Sequence, residues 1–186
     1  MDNTISETEA AKAIFEQFVY ADSLPSEEKE GIIRQAISLG QKRAEEIREE
    51  FGSIEAEKIL KSQGITILEE REKRNPGKDY VKFAEYYGKA GEICLNVTAL
   101  EVIKPKIALA LAREIVLSHE LYHYFEYKRW GDTSSLFIRE VRLFGRIPVK
   151  RRMLPAAEIA ANSFTKHFLN IEFQPQVIET YYFEMI

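Results

Sequence analysis

The chain has 186 residues, of which 45% are hydrophobic and 30% charged, and carries a formal net charge of -4. That length suits one substantial core and is short for two enzymatic units, while the mild acidity excludes a general nucleic-acid binder. Cys94 is the single cysteine, the start lacks a basic stretch leading into an apolar one, and apolar runs such as 107–112 fall far below the roughly 18 residues of a membrane span. A cytoplasmic protein without a membrane partner is expected.

Residues 5–21 and 26–51 are rich in Ala, Glu, Lys, Gln and Ile, and the break at Asp22, Ser23, Pro25 and Ser26 divides them into two helices. Ser26 is the expected N-cap of the second, Gly52 its stop, and Ser53 the cap of a third, short helix ending near Gly64. Residues 65–68, 80–87 and 92–97 read as strands of a small antiparallel meander. The polar run 69–79 separates the first two, and Gly88 and Gly91 the last two. Pro105 suits a helix's first turn, and neither Pro nor Gly follows until Gly131, so one long helix is predicted over 105–130. Another begins at Pro155 and runs to about Asn170, and the segment between them, with Gly131, Gly145 and Pro148, is expected to be less regular. These elements make an α+β chain, expected to form one domain over 1–186 with a helical extension (1–52), a core (53–170) and a C-terminal segment (171–186).

The long helix carries His119-Glu120-Leu121-Tyr122-His123, the HExxH pattern. Imidazoles four residues apart share one helical face and can chelate one zinc ion. Glu120 stands about 100° around the helix from His119, free of the metal and able to face a water that the metal activates, as a general base. The bland alternative is a pair of satisfied helix histidines. With only three histidines in the chain and two of them in the pattern, that alternative is the weaker one.

A catalytic zinc site uses three protein ligands and an open fourth position. Glu126 and Arg129 occupy the positions where metzincins need Gly and His, which excludes that class. Downstream donors are Asp132, Glu140, Glu158 and His167. Glu158 fits best, because the small Ala161 on the same helix permits close packing, and Asn162, one turn on, offers a carbonyl that could orient a ligating imidazole. The opposing reading makes Glu158 a surface carboxylate near a helix start.

The segments 115–124 (IVLSHELYHY) and 158–169 (EIAANSFTKHFL) together resemble the paired signature of the ImmA/IrrE metallo-endopeptidase family, with Glu158, Ala161, Asn162 and Phe164 matching in place. The resemblance covers about residues 53–170. It implies a zincin-like, gluzincin-type fold with zinc on His119, His123 and Glu158, and Glu120 as base. It also implies a protein substrate of the transcriptional-repressor kind. Two departures weaken the substrate inference more than the metal inference: Tyr122 replaces a common Gly, and Asn170-Ile171 stands where the family has Met-Pro.

The basic residues Arg139, Arg142, Arg146, Lys150, Arg151 and Arg152 read as a solvated face, with an acidic substrate segment as the alternative. Tyr181 or Tyr182 is a candidate oxyanion donor. Strand 92–97 is a candidate sheet edge that would pair with an extended peptide. The N-terminal helices carry no helix-turn-helix signature, so no direct nucleic-acid contact is expected, and they could serve in docking or dimerisation. The competing function is a regulatory binding module that holds metal without cleaving anything.

Overall fold

The computed structural model describes residues 5–71, 80–143 and 146–186, and the chain is α+β. Helix α1 (Glu7–Glu16) starts from a reciprocal cap. The Ser6 hydroxyl accepts from the Glu9 N–H at 3.2 Å, and the Glu9 carboxylate accepts from the Ser6 N–H at 2.8 Å. Helix α2 (Ser26–Phe51) is capped by Pro25 rather than Ser26, which is its first helical residue, and Gly52 (φ 59°) ends it as the sequence predicts. Before α3 (Ala56–Ser62), Ser53 accepts from the Glu55 N–H, and the carboxylate of Glu114 takes up the Ala56 N–H.

Strands β1 (Thr66–Glu70), β2 (Ala84–Tyr87) and β3 (Glu92–Asn96) form one sheet in the order β1-β3-β2. β1 runs parallel to β3, and β2 antiparallel to it, so the expected meander is a mixed sheet. Alternating side chains have the same period in either direction, which is why the pattern did not reveal strand polarity. Most of the 69–79 run, from 72 onward, lies outside the described residues. Ile93 and Leu95 of β3 point into the core.

Asn96 then turns strand into helix, its side chain accepting from the Ala99 N–H to start α4 (Val97–Ile103). The predicted 105–130 helix starts four residues late, as α5 (Leu109–Phe125), with Pro105 in the turn between α4 and α5 rather than in a first helical turn; one wide π-helical turn, Glu126–Trp130, follows and Gly131 (φ 78°) ends it. Beyond it, the segment expected to be irregular contains a hairpin of β4 (Ile138–Leu143) and β5 (Ile147–Arg152), with Val141 opposite Val149. Pro148 is tolerated because this two-stranded ribbon consists only of edges. Helix α6 (Pro155–Leu169) opens with Pro155 and closes at Asn170 in the left-handed region (φ 53°), and α7 (Val177–Glu184) follows.

Two apolar clusters hold these elements. The larger joins α3, the three-stranded sheet, α4, α5 and the later half of α6. The smaller joins α1, the first half of α2, the hairpin and the start of α6. Helix α2 contributes to both and lies along α6, where the Ser163 hydroxyl donates to the Ile37 carbonyl at 3.0 Å. The N-terminal helices therefore brace a helix of the candidate site. No helix among the described residues is long and apolar enough to cross a membrane.

Arg113 of α5 ties α3 to the sheet by ion pairs to Glu57 at 2.8 Å and Glu69 at 2.6 Å. Hydrogen bonds from Arg113 and then Lys61 hold the Glu57 carboxyl down at about 2, against the opposing effect of burial. Its ion-pair stabilisation is present above the ordinary carboxylate range and is lost as pH falls through about 2. Arg113→Ala is expected to cost about 1–2 kcal/mol at neutral pH. The difference from wild type should shrink as Glu57 protonates, which urea midpoints measured along an acid series would show.

Candidate metal centre and its cleft

Helix α5 turns Ser118, Leu121, Tyr122 and Phe125 into the core. His119 and His123, on the face left over, keep 24% and 22% of their side-chain surface exposed and look across to α6. The close approach of α6 follows from its small residues, since Ala160 and Ala161 are fully buried, while Phe164 packs against Tyr122 with tilted rings whose centroids are 5.6 Å apart. Glu158, one turn into α6, thereby reaches both imidazoles.

The donor atoms form a tight triangle. His119 Nε2 is 3.2 Å from His123 Nε2 and 3.3 Å from Glu158 Oε2, and His123 Nε2 is 3.7 Å from Glu158 Oε1. Donors held about 2.0–2.2 Å from a shared tetrahedral ion stand roughly 3.3–3.6 Å apart. The three residues present donors within 4.8 Å of one another, so their chemistry and spacing fit a divalent cation. The other candidate ligands lie elsewhere. His167 meets Glu7 at 3.3 Å, Asp132 bridges to Arg152 at 2.7 Å, and Glu140 faces Lys150 across the hairpin.

The charge state of this triangle follows from mutual contact. Burial works against a proton on His119, but the hydrogen bond and charge of Glu158, with Glu120 and Glu179 behind it, lift the imidazole to about 9. Burial likewise opposes ionisation of Glu158, and His119 and His123 overcome it, bringing the carboxyl down to about 2. The site therefore collects positive charge, which a divalent cation would supply in place of protons.

Glu120 is only 8% exposed, and burial pushes its carboxyl up while His119 and His123 pull it down. A backbone hydrogen bond from Tyr86 links it to β2. A carboxyl displaced toward neutrality is suited to taking up and releasing a proton.

Asn162 does not orient an imidazole. Its side-chain nitrogen donates to the Glu158 carbonyl oxygen at 2.9 Å, within its own helix. The partner of His123 is Glu126, whose Oε2 lies 2.9 Å from Nδ1 and whose Oε1 accepts from the Thr133 N–H at 2.8 Å. Burial of Glu126 is outweighed by the bonds from His123 and Thr133, which keep its carboxyl below the usual range and anionic. An anion on Nδ1 fixes a proton there and leaves the Nε2 lone pair for a metal. Thr133 Oγ1 is in turn 2.7 Å from the Tyr122 hydroxyl, so Tyr122 joins this support. Glu126 stands three residues after His123, on the same helical side, and that spacing was the available signal.

The triad opens into a cleft of about 180 Å³ between α5, α6, the segment 81–84 entering β2, and residues 175–179 entering α7. Strand β3 is not the edge beside this cleft, because it lies in the middle of its sheet. The edge is β2. Its better-buried neighbour β3 carries the stronger apolar alternation, and alternation measures burial rather than edge position. Neither Tyr181 nor Tyr182 lines the cleft, and Tyr182 packs edge-on against Phe83 at 6.0 Å. The basic residues lie on the β4–β5 hairpin, where Arg139 meets Glu28 at 3.6 Å and Arg142, Arg146, Lys150 and Arg151 are exposed. The polar cleft residues Lys82, Gln176 and Glu179 escaped the sequence reading, because nothing local distinguishes them from ordinary polar residues. Compared with family models, curated proteins and solved structures, the chain matches none of them.

Proposed function

We propose that the chain is a zinc-dependent metallo-endopeptidase with a zincin-like active site, of the kind its ImmA/IrrE-like motifs suggest. The observation that carries this reading is the convergence of His119, His123 and Glu158 on one point beside the buried carboxyl of Glu120. Zinc held there would supply a Lewis acid for a peptide carbonyl and would lower the pKa of a water toward neutrality. His119 and His123 would hold it through Nε2, and Glu158 through its carboxylate. Glu126 keeps His123 in the ligating tautomer. Glu120 takes a proton from the attacking water and returns it to the departing amine. Among the described residues, the side of β2 not paired with β3 offers main-chain groups other than the Tyr86 N–H to an extended peptide, so the substrate is a protein segment in strand conformation, such as one in a repressor.

Zinc titration and hydrolysis test this reading together. One equivalent of zinc should bind, with affinity reduced more than about 100-fold in Glu158→Ala and about 10–100-fold in Glu126→Ala. The zinc-loaded chain should hydrolyse an unfolded protein such as casein, and a chelator should stop it. Binding unaffected by Glu158→Ala, or hydrolysis indifferent to the chelator, would refute the assignment.

A further inference from the structure

Beyond the triad, the cleft has a second polar wall that the proposed chemistry does not use. Gln176 and Glu179, three residues apart at the start of α7, both line it. The Gln176 side-chain carbonyl oxygen is buried and has no hydrogen-bond partner. The charges acting on the Glu179 carboxyl are those of His119, which is attractive, and Glu158, which is repulsive. Lys82, the one lysine or arginine among the described residues lining the cleft, meets Glu85 at 2.8 Å. Among the described carboxylates lining the cleft, Glu179 is the one that neither the triad nor the proposed proton transfer uses. Val81, Phe83, Pro175 and Ile178 form an apolar wall beside these acceptors.

A carboxylate and a buried amide carbonyl that lacks a partner, side by side on one wall, favour a ligand group rich in donors. Ammonium and guanidinium groups are of that type, and their methylene stems suit an apolar wall. We infer that Gln176 and Glu179 form a specificity subsite that selects a lysine or arginine side chain next to the bond presented to the triad. The inference rests on the peptidase reading for its substrate class, but it can be tested by binding alone.

The probes are three blocked pentapeptides differing only at the central residue: lysine, norleucine or glutamate. Binding is measured calorimetrically to the zinc-loaded Glu120→Gln chain, so that no turnover intervenes. Lysine is expected to bind about 10-fold more tightly than norleucine, its near-isostere without charge, and glutamate more weakly than either. Adding Glu179→Gln should bring the lysine-to-norleucine ratio close to one, and Glu179→Lys should reverse the order in favour of glutamate. Equal affinities for lysine and norleucine, no binding of any probe, or a lysine preference that survives Glu179→Gln would overturn the subsite. Should a Glu179 variant fail to fold, the ratio in the parent chain decides. A lysine preference in a chain that hydrolyses nothing would sustain the subsite and refute the peptidase reading, so the two failures are distinguishable.

Discussion

Gly40→Ala is expected to destabilise the chain by about 2–4 kcal/mol and to weaken metal binding with it. Gly40 lies in α2 where that helix meets α6, and a Cβ built there would stand 2.3 Å from the Ala160 carbonyl oxygen, 2.7 Å from Ser163 Cβ and 2.8 Å from the Phe164 backbone nitrogen. Two of those three atoms belong to backbone, so no side-chain rotation relieves the overlap, and the helices must part. Parting them breaks the Ser163–Ile37 hydrogen bond and opens packing that both apolar clusters share. Alanine's helix propensity returns only about 1 kcal/mol, too little to offset this. Gly31, in the same helix, is the control, because a Cβ there meets nothing within 4 Å. Gly31→Ala should raise stability by about 0.5–1 kcal/mol. Urea unfolding of both variants settles the comparison: a Gly40→Ala chain as stable as wild type would mean that α2 and α6 separate at little cost. Zinc affinity should fall as well, since α6 carries Glu158 while the two histidines stay on α5.

What the sequence made legible about the site was local in its chemistry. His119, Glu120 and His123 lie within five residues, and helical spacing alone places both imidazoles on one face. Glu158 was recoverable because its helix carries small residues where a second helix must come close. The role assigned to Asn162 failed for a physical reason: a short amide on a helix reaches the carbonyl four residues back more readily than a ring on another helix, and it does so here. Glu126 is not legible from class patterns, because its position is the one where metzincins need a Gly rather than a ligand. Its contact with His123 is helical, but its second anchor, the Thr133 N–H, depends on the wide turn after α5, which no Pro or Gly announces.

In the fold, capping and stop signals at Gly52, Pro155 and Asn170 were readable because each acts through its own backbone conformation. Strand direction, the edge position of β2 and the bracing of α6 by α2 were not, because they depend on partners far along the chain. Gly40 shows the same limit. Within its helix it looks like a weak residue, and only the distant α6 backbone makes it necessary. The N-terminal helices consequently read as a separable extension in sequence, although they share their apolar clusters with the helix that carries Glu158.

Glu120→Gln should reduce hydrolysis by about 10²–10⁴-fold while leaving zinc affinity within a few-fold of wild type. The separation follows from geometry. The carboxylate lines the same cleft as His119 but is not among the three donors that converge, so removing its charge leaves the triad in place. Glutamine preserves its size, and an amide is less costly to bury than a charge, so stability should be unchanged or slightly raised. A structural role for Glu120 would predict the opposite pair of results, with stability falling and activity following it. Glu120→Asp adds a second arm, because it keeps the carboxyl but draws it back by one methylene. It should retain more activity than Glu120→Gln if proton transfer is what matters, and no more if only shape does. Casein hydrolysis and zinc titration on the same preparations provide both readings. Full activity in Glu120→Gln would remove this residue from the chemistry and leave the triad as a metal site without a base.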